Sequence, residues 1–208
     1  MQYQAVIFDW DGVVTASNDV KTQAFIDIFA ALGEEAAGII TQYQRQNGGI
    51  SRFEKYRHYV SLFFKRNVSE DELRQFDRQY AALIFQKLLK TPFIPGCLNT
   101  LKKLNKLNIP AFVVTGSPAD EIRRLAGRRR IRHYFADILG SPQTKENHIR
   151  NLMRKYAFDS EKVIFYGDAL TDYRAAQANH INFVGVVPFG MASPFPENVK
   201  TTNVIDFS

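Results

Sequence analysis

A chain of 208 residues with 45% hydrophobic and 23% charged residues has the make-up of an ordinary globular protein, long enough for one large domain or for a core carrying an insertion. Its single cysteine, Cys97, excludes an intrachain disulfide framework and a thiolate metal cage, and this usage fits a reducing, cytoplasmic setting. The net charge of +6 favours anionic ligands. No stretch approaches the roughly 20 apolar residues of a membrane helix, and the opening MQYQAVIFDWDG, without a basic leader and interrupted by an acid, does not read as a secretory signal.

In chain order, Ala5–Phe8 (AVIF) is the first of four short apolar runs rich in β-branched and aromatic residues. The others are 111–114 (AFVV), 163–166 (VIFY) and 183–187 (FVGVV). Runs of this kind indicate strands buried on both faces, as in a parallel sheet. Between the first and second lies a long segment, 18–89, that contains no convincing strand. Phe25, Ile28, Phe29 and Leu32 recur there at helical spacing, as do Phe76, Tyr80, Leu83 and Leu88. Ser51 with Glu54, and Ser69 with Glu72, have the spacing of capping boxes. Thr91-Pro92 and Pro95-Gly96 end this helical stretch. Beyond it, helical patterns at 96–107, 118–126, 146–156 and 172–178 alternate with the remaining runs, and 137–139 adds a short strand. The expected fold is α/β: a doubly wound, mainly parallel sheet formed by residues 1–17 and 90–208, with 18–89 as an inserted helical cap domain.

Carboxylates mark the ends of these runs. Asp9 and Asp11 follow the first in FDWDGVVT, Thr115 follows the second in VVTGS, and Asp168 and Asp172 follow the third in YGDALTD. Ligands of open parallel sheets gather at the carboxyl ends of the strands, so this order brings the acids onto one rim. Like charges held together repel and raise one another's pKa unless a cation neutralises them. Oxygen ligands in such a set suit magnesium, which also binds phosphate oxygens. Lys145 and the Thr115 hydroxyl then face the remaining phosphate oxygens. Taken singly, each residue has an ordinary explanation: Asp11-Gly12 as a turn, Asp168 as a helix cap, a lone lysine as a solvated charge. It is the joint placement of four words at strand ends that carries the reading.

These words resemble the haloacid dehalogenase superfamily, in its phosphatase branch with a helical cap, similar to phosphoglycolate phosphatases and β-phosphoglucomutase-like proteins. The resemblance rests on DxDG at Asp9–Gly12 and GDxxxD at 167–172, and it covers nearly the whole chain. It implies that Asp9 attacks phosphorus and that Asp11 serves as acid and then base. It also implies Mg2+ held by Asp9, the Asp11 backbone carbonyl and Asp168, with Asp172 acting through the metal's waters or directly. Thr115 and Lys145 would assist, and backbone N–H groups around Trp10, Gly116 and Ser117 would cradle the phosphoryl oxygens. Lys145 is followed by glutamate where the family often has proline, and Lys103 and Lys155 are the other candidates. The word GGISRFEKYR (48–57) stands where the family's specificity loop enters the cap. Arg52 there is similar in position to the arginine that grips the far end of the substrate, with Arg45 and Lys55 assisting.

The implied substrate is a small phosphorylated metabolite: a sugar, polyol or hydroxy-acid phosphate. An acid at position 11 separates the chain from dehalogenases. A sugar-phosphate mutase is the runner-up, because similar motifs serve those enzymes; Lys21, where they are expected to have a histidine that helps control the acid-base residue, counts against it. A second alternative is a non-catalytic binder of phosphorylated ligands or nucleic acid, using Arg123, Arg124, Arg128, Arg129, Arg130 and Arg132. No binding motif or interleaved aromatic residue supports the nucleic-acid version. The Trp10 ring reads as packing, and Tyr173 and Phe189 as core or rim.

Overall fold

The computed structural model describes residues 3–207, and within them each apolar run forms a strand. Six strands are present: β1 (Ala5–Phe8), β2 (Ala111–Pro118), β3 (Phe135–Ser141), β4 (Val163–Gly167), β5 (Asn182–Val186) and β6 (Thr201–Thr202). All pair in parallel, in the order β3-β2-β1-β4-β5-β6. The chain winds outward from β1 through β2 to β3, then returns to the other side of β1. This reversal puts the switch point between β1 and β4, where a doubly wound sheet opens its binding crevice.

Four helices cover the sheet: α5 (Cys97–Lys106), α6 (Ala119–Arg128), α7 (Lys145–Tyr156) and α8 (Leu170–Ala178). Alternate strand residues point to opposite faces. Val6, Phe8 and Val113 meet Leu101 and Leu104 of α5 and Ile122 and Leu125 of α6. Ala5, Ile7, Phe112 and Val114 meet Ile149 and Leu152 of α7 and Ala175 and Ala176 of α8. Both faces are dry, which is why these strands are apolar throughout rather than alternating.

Between β1 and α5 the chain forms α1 (Asn18–Ile28), α2 (Gly33–Gln46), α3 (Arg52–Phe64) and α4 (Glu70–Lys90). An aromatic cluster holds them together. Phe25 lies 4.8 Å from Tyr80 and 5.4 Å from Tyr56, Phe29 lies 5.5 Å from Tyr59, and Tyr56 stacks on Phe76 at 5.4 Å. Ring pairs at such distances add stabilisation beyond the area they bury. Ser69 and Glu72 close a reciprocal capping box at the start of α4. Ser51 behaves differently from the expected box: its hydroxyl accepts from the Phe53 N–H at 3.3 Å, one residue early, and Glu54 takes no part. The two crossings between insertion and sheet run side by side, with Thr15 bridged to Phe93 and the Ala16 N–H donating to Pro92 O at 3.0 Å.

The arginine-rich segment is largely engaged in the fold. Arg124 lies 4.1 Å over the Phe85 ring and Arg129 lies 3.8 Å over Phe93. Arg129 also donates to Leu88 O and Thr91 Oγ1, Arg132 to Phe135 O, and Arg123 to Ile138 O and Asp120. These contacts tie α6 and the following turn to α4 and β3, and the sequence pattern alone did not reveal them. Among the described residues no helix is long and apolar enough to cross a membrane.

Candidate active site

Each acid stands where a strand ends. Asp9 follows β1, and its N–H donates to Tyr166 O of β4 at 2.9 Å, which fixes the backbone at the switch point. The chain then turns sharply through Gly12, whose φ is +74°. A Cβ at that position would lie 2.0 Å from Oδ2 of Asp168, so only glycine leaves room for the carboxylate arriving from β4. Asp172 sits one turn into α8, fully buried, with Oδ2 accepting the Ala169 N–H at 3.1 Å.

Oxygens of Asp9, Asp168 and Asp172 lie within 4.8 Å of one another. Lys145, at the start of α7, donates to Asp9 Oδ2 at 2.8 Å and to Asp172 Oδ1 at 2.5 Å. Burial works against its charge, yet Asp172 and Asp9 hold the ammonium above its ordinary pKa. One lysine for three carboxylates leaves the cluster net negative. Burial pushes Asp168 well above the usual carboxylate range, and Asp9 and Asp172 add to the shift. Asp172 is also raised, by burial first, with Lys145 opposing. A rim of hard oxygen donors with unbalanced negative charge is the environment a divalent cation such as magnesium relieves, and the residues present fit one.

Asp11 stands apart from that cluster. Its carboxylate accepts from Ser17 Oγ at 2.5 Å, from Ser117 Oγ at 3.0 Å and from the Lys21 ammonium. Burial pushes the Asp11 carboxyl up, but Lys21, joined by the two hydroxyls, brings it below its ordinary value. Lys21 is the position that the resemblance aligns with the mutase histidine, whereas Ser17 has no such signal; the approach of both depends on how α1 leaves the sheet. Asn18, also without a signal in the sequence, donates to Asp168 Oδ2 at 2.6 Å across a separation of 150 residues.

The remaining expected residues are distributed as follows. Thr115 is buried at the end of the apolar part of β2, where its hydroxyl accepts the Ser117 N–H at 3.3 Å. The Trp10 ring is fully buried 6.3 Å from Phe135, and the Trp10 backbone N–H donates to Asp9 Oδ1 at 2.7 Å. Gly116 meets the loop that precedes α3: a Cβ there would lie 2.2 Å from Gly49 O. On the far side of that loop Thr171 donates to Gly48 O at 2.9 Å. The loop therefore sits down on the sheet rim at this point. Arg52 lies between two acids, with Nε 2.6 Å from Asp77 of α4 and a terminal nitrogen 2.6 Å from Glu121 of α6. Lys55 is buried and donates to Gln44 Oε1 at 2.5 Å. Arg45 is exposed.

A cavity of about 810 Å³ joins these groups. Asp9, Asp11, Thr115 and Asp168 line its floor from the sheet, and Lys55 and Tyr80 reach it from the insertion. Its size suits a small organic ligand.

A phosphoglycolate phosphatase of Photorhabdus laumondii is 26% identical over 190 residues, covering 88% of this chain and 80% of that protein. Phosphoglycolate phosphatase 1 of Pseudomonas aeruginosa is 26% identical over 212 residues, covering 97% and 75%. The crystal structure of β-phosphoglucomutase from Clostridium difficile superposes with a TM-score of 0.74 at 18% identity, over 90% of this chain and 86% of that one. A sequence model of haloacid dehalogenase-like hydrolases matches residues 3–180, which include both crossings, all four acids and Lys145, and this chain belongs to that family.

Proposed function

We propose that the protein hydrolyses a small phosphate monoester through an aspartyl-phosphate formed on Asp9. The observation that supports this reading best is the gathering of Asp9, Asp168 and Asp172 within 4.8 Å. A protein that only bound anions would gain nothing from concentrated negative charge beside its ligand. The similarity to phosphoglycolate phosphatases favours a phosphorylated hydroxy acid, sugar or polyol as substrate. The proposed setting is cytoplasmic.

Asp9, Asp168 and Asp172 would hold magnesium, which when bound neutralises phosphoryl charge against these acids. Asp9 Oδ2, released from Lys145, attacks phosphorus, and the ester oxygen leaves with a proton from Asp11. Asp11 then removes a proton from the water that opens the phosphoaspartate. Lys145 and the Thr115 hydroxyl hold phosphoryl oxygens, and backbone N–H groups at Trp10 and Gly116 complete the cradle. The helical insertion, docked through the Gly48–Gly49 contacts, acts as a cap that limits the entry of bulk water and large substrates.

Release of inorganic phosphate from p-nitrophenyl phosphate and from a panel of phosphorylated metabolites tests the proposal. Turnover should require magnesium and stop on chelation. Complete inertness toward every monoester in the presence of the ion would reject it.

The contacts of Asp11 give a second expectation. Lys21 stabilises the carboxylate, which is the form needed to accept a proton from water. In Lys21→Met that stabilisation is gone while burial remains, so the Asp11 pKa rises. The acid limb of the kcat–pH profile should then move to higher pH. An unshifted limb would remove Lys21 from control of the proton.

A further inference from the structure

The cations in and beside the cavity are not equivalent. Lys145 is bound to Asp9 and Asp172, and Lys21 to Asp11. Arg52 has two acidic partners at 2.6 Å each. One of them, Glu121, keeps a second oxygen buried with no hydrogen-bond partner among the described residues, so Arg52 sits in a locally negative setting and is poorly placed to attract another anion. It joins α3 to α4 and to α6, which is the work of a brace between the insertion and the sheet layer.

Two cations lining the cavity have no acidic partner among the described residues, Arg45 and Lys55; Arg45 is exposed, and Lys55 is the buried one. It lies one helical turn beyond Arg52, is 8% exposed and lines the cavity. Among the described residues it forms no ion pair; its recorded contacts are the neutral Gln44 Oε1 at 2.5 Å and the Phe25 ring at 5.8 Å. Gln44 is itself oriented, because its Nε2 donates to the Tyr59 hydroxyl at 3.1 Å. An ammonium with three donors, one of them used, is thus held in a buried polar seat facing open space. Burial pulls its pKa down to about 8, with Lys21 adding to the effect and the charges of Asp11 and Asp168 opposing it without pairing with the ammonium. A buried charge without a counterion is costly unless a ligand supplies one.

The geometry points to Lys55, seated on Gln44, as the residue that selects substrates carrying a second anionic group, with Arg52 serving as a brace. This assignment rests on the hydrolase reading above and names the side chain that sets its specificity. One ammonium matches the single charge of a carboxylate better than it matches a second phosphate, so the preferred class is the phosphorylated hydroxy acids.

The test compares phosphoglycolate with 2-hydroxyethyl phosphate, which has a hydroxyl in place of the carboxylate. The readout is the ratio of their kcat/KM values. Lys55→Met should lower the ratio by about 10- to 100-fold, the range of one charged hydrogen bond, chiefly through KM for phosphoglycolate. Lys55→Arg, which keeps the charge, should restore most of it. The inference is overturned if the ratio is unchanged, if both substrates lose alike, or if propane-1,3-diol bisphosphate responds to Lys55→Met more than phosphoglycolate does. The same ratio, read as calorimetric affinities in proteins carrying Asp9→Asn with and without Lys55→Met, requires no turnover. Should the wild type hydrolyse neither compound while this affinity ratio still depends on Lys55, the hydrolase reading falls and the anion assignment stands.

Discussion

Asp9→Asn should reduce phosphate release by about 10⁴-fold or more while leaving the fold in place. The loss combines two effects. The amide is a far weaker nucleophile than the carboxylate, and one of the three clustered acids loses its charge. A 10⁴-fold change corresponds to about 5.5 kcal/mol of transition-state stabilisation, within the range seen when a nucleophile is removed. Stability should suffer little, because the new side chain is nearly the same size. The Trp10 N–H can still donate to its oxygen, and Lys145 retains Asp172 as a counterion. Phosphate release and circular dichroism on matched samples check both halves. A folded Asp9→Asn protein with activity within tenfold of wild type would mean that the attacking group lies elsewhere.

Much of this arrangement can be read from the chain, for reasons that differ by element. The cores of β1, β2 and β4 are apolar because both faces are covered, and periodicity detects that directly. The third strand is longer than its apolar residues suggest, running Phe135–Ser141 with partly exposed positions, because it lies at the sheet edge. Thr201–Thr202 at the opposite edge is exposed or half-buried and carries no apolar signal at all. In the site, Asp9, Asp168 and Asp172 could be assembled from strand order, since topology alone fixes which strand ends are neighbours. Most side-chain partners of the site residues could not, and even for Lys21 only its place in the chain was legible, not its contact. Asn18 on Asp168, Lys21 on Asp11 and Glu121 on Arg52 depend on the angle at which the helical insertion meets the sheet. That angle is set by contacts along the whole of α1–α4 rather than by any local motif. The contrast between Arg52 and Lys55 has the same origin: both are cations on one helix face, and only the acids brought by α4 and α6 distinguish them.

Lys145→Met should be the most damaging single change to stability in the site, and its effect should depend on pH. The lysine is buried with Asp9 and Asp172 and accounts for the direct positive charge on that pair. Removing one member of a buried ionic group leaves the others uncompensated, at a cost of about 3–5 kcal/mol. The sign of the pH dependence follows from the acids left behind. Asp168 and Asp172 already have raised pKa values, with Lys145 opposing the rise in both. Without it they move further up. A carboxyl whose folded pKa exceeds its unfolded value takes up a proton on folding, so it favours the folded state at low pH and opposes it as pH climbs through that window. The destabilisation should therefore be largest near pH 7.5 and smaller at pH 5, where protonation replaces the missing counter-charge. Urea unfolding of wild type and variant at both pH values, with chelator present, measures the difference, and added magnesium should return part of the loss at pH 7.5 through its preference for the folded acids. An equal loss at both pH values would show that Lys145 acts through packing, and the electrostatic account of the cluster would have to be abandoned.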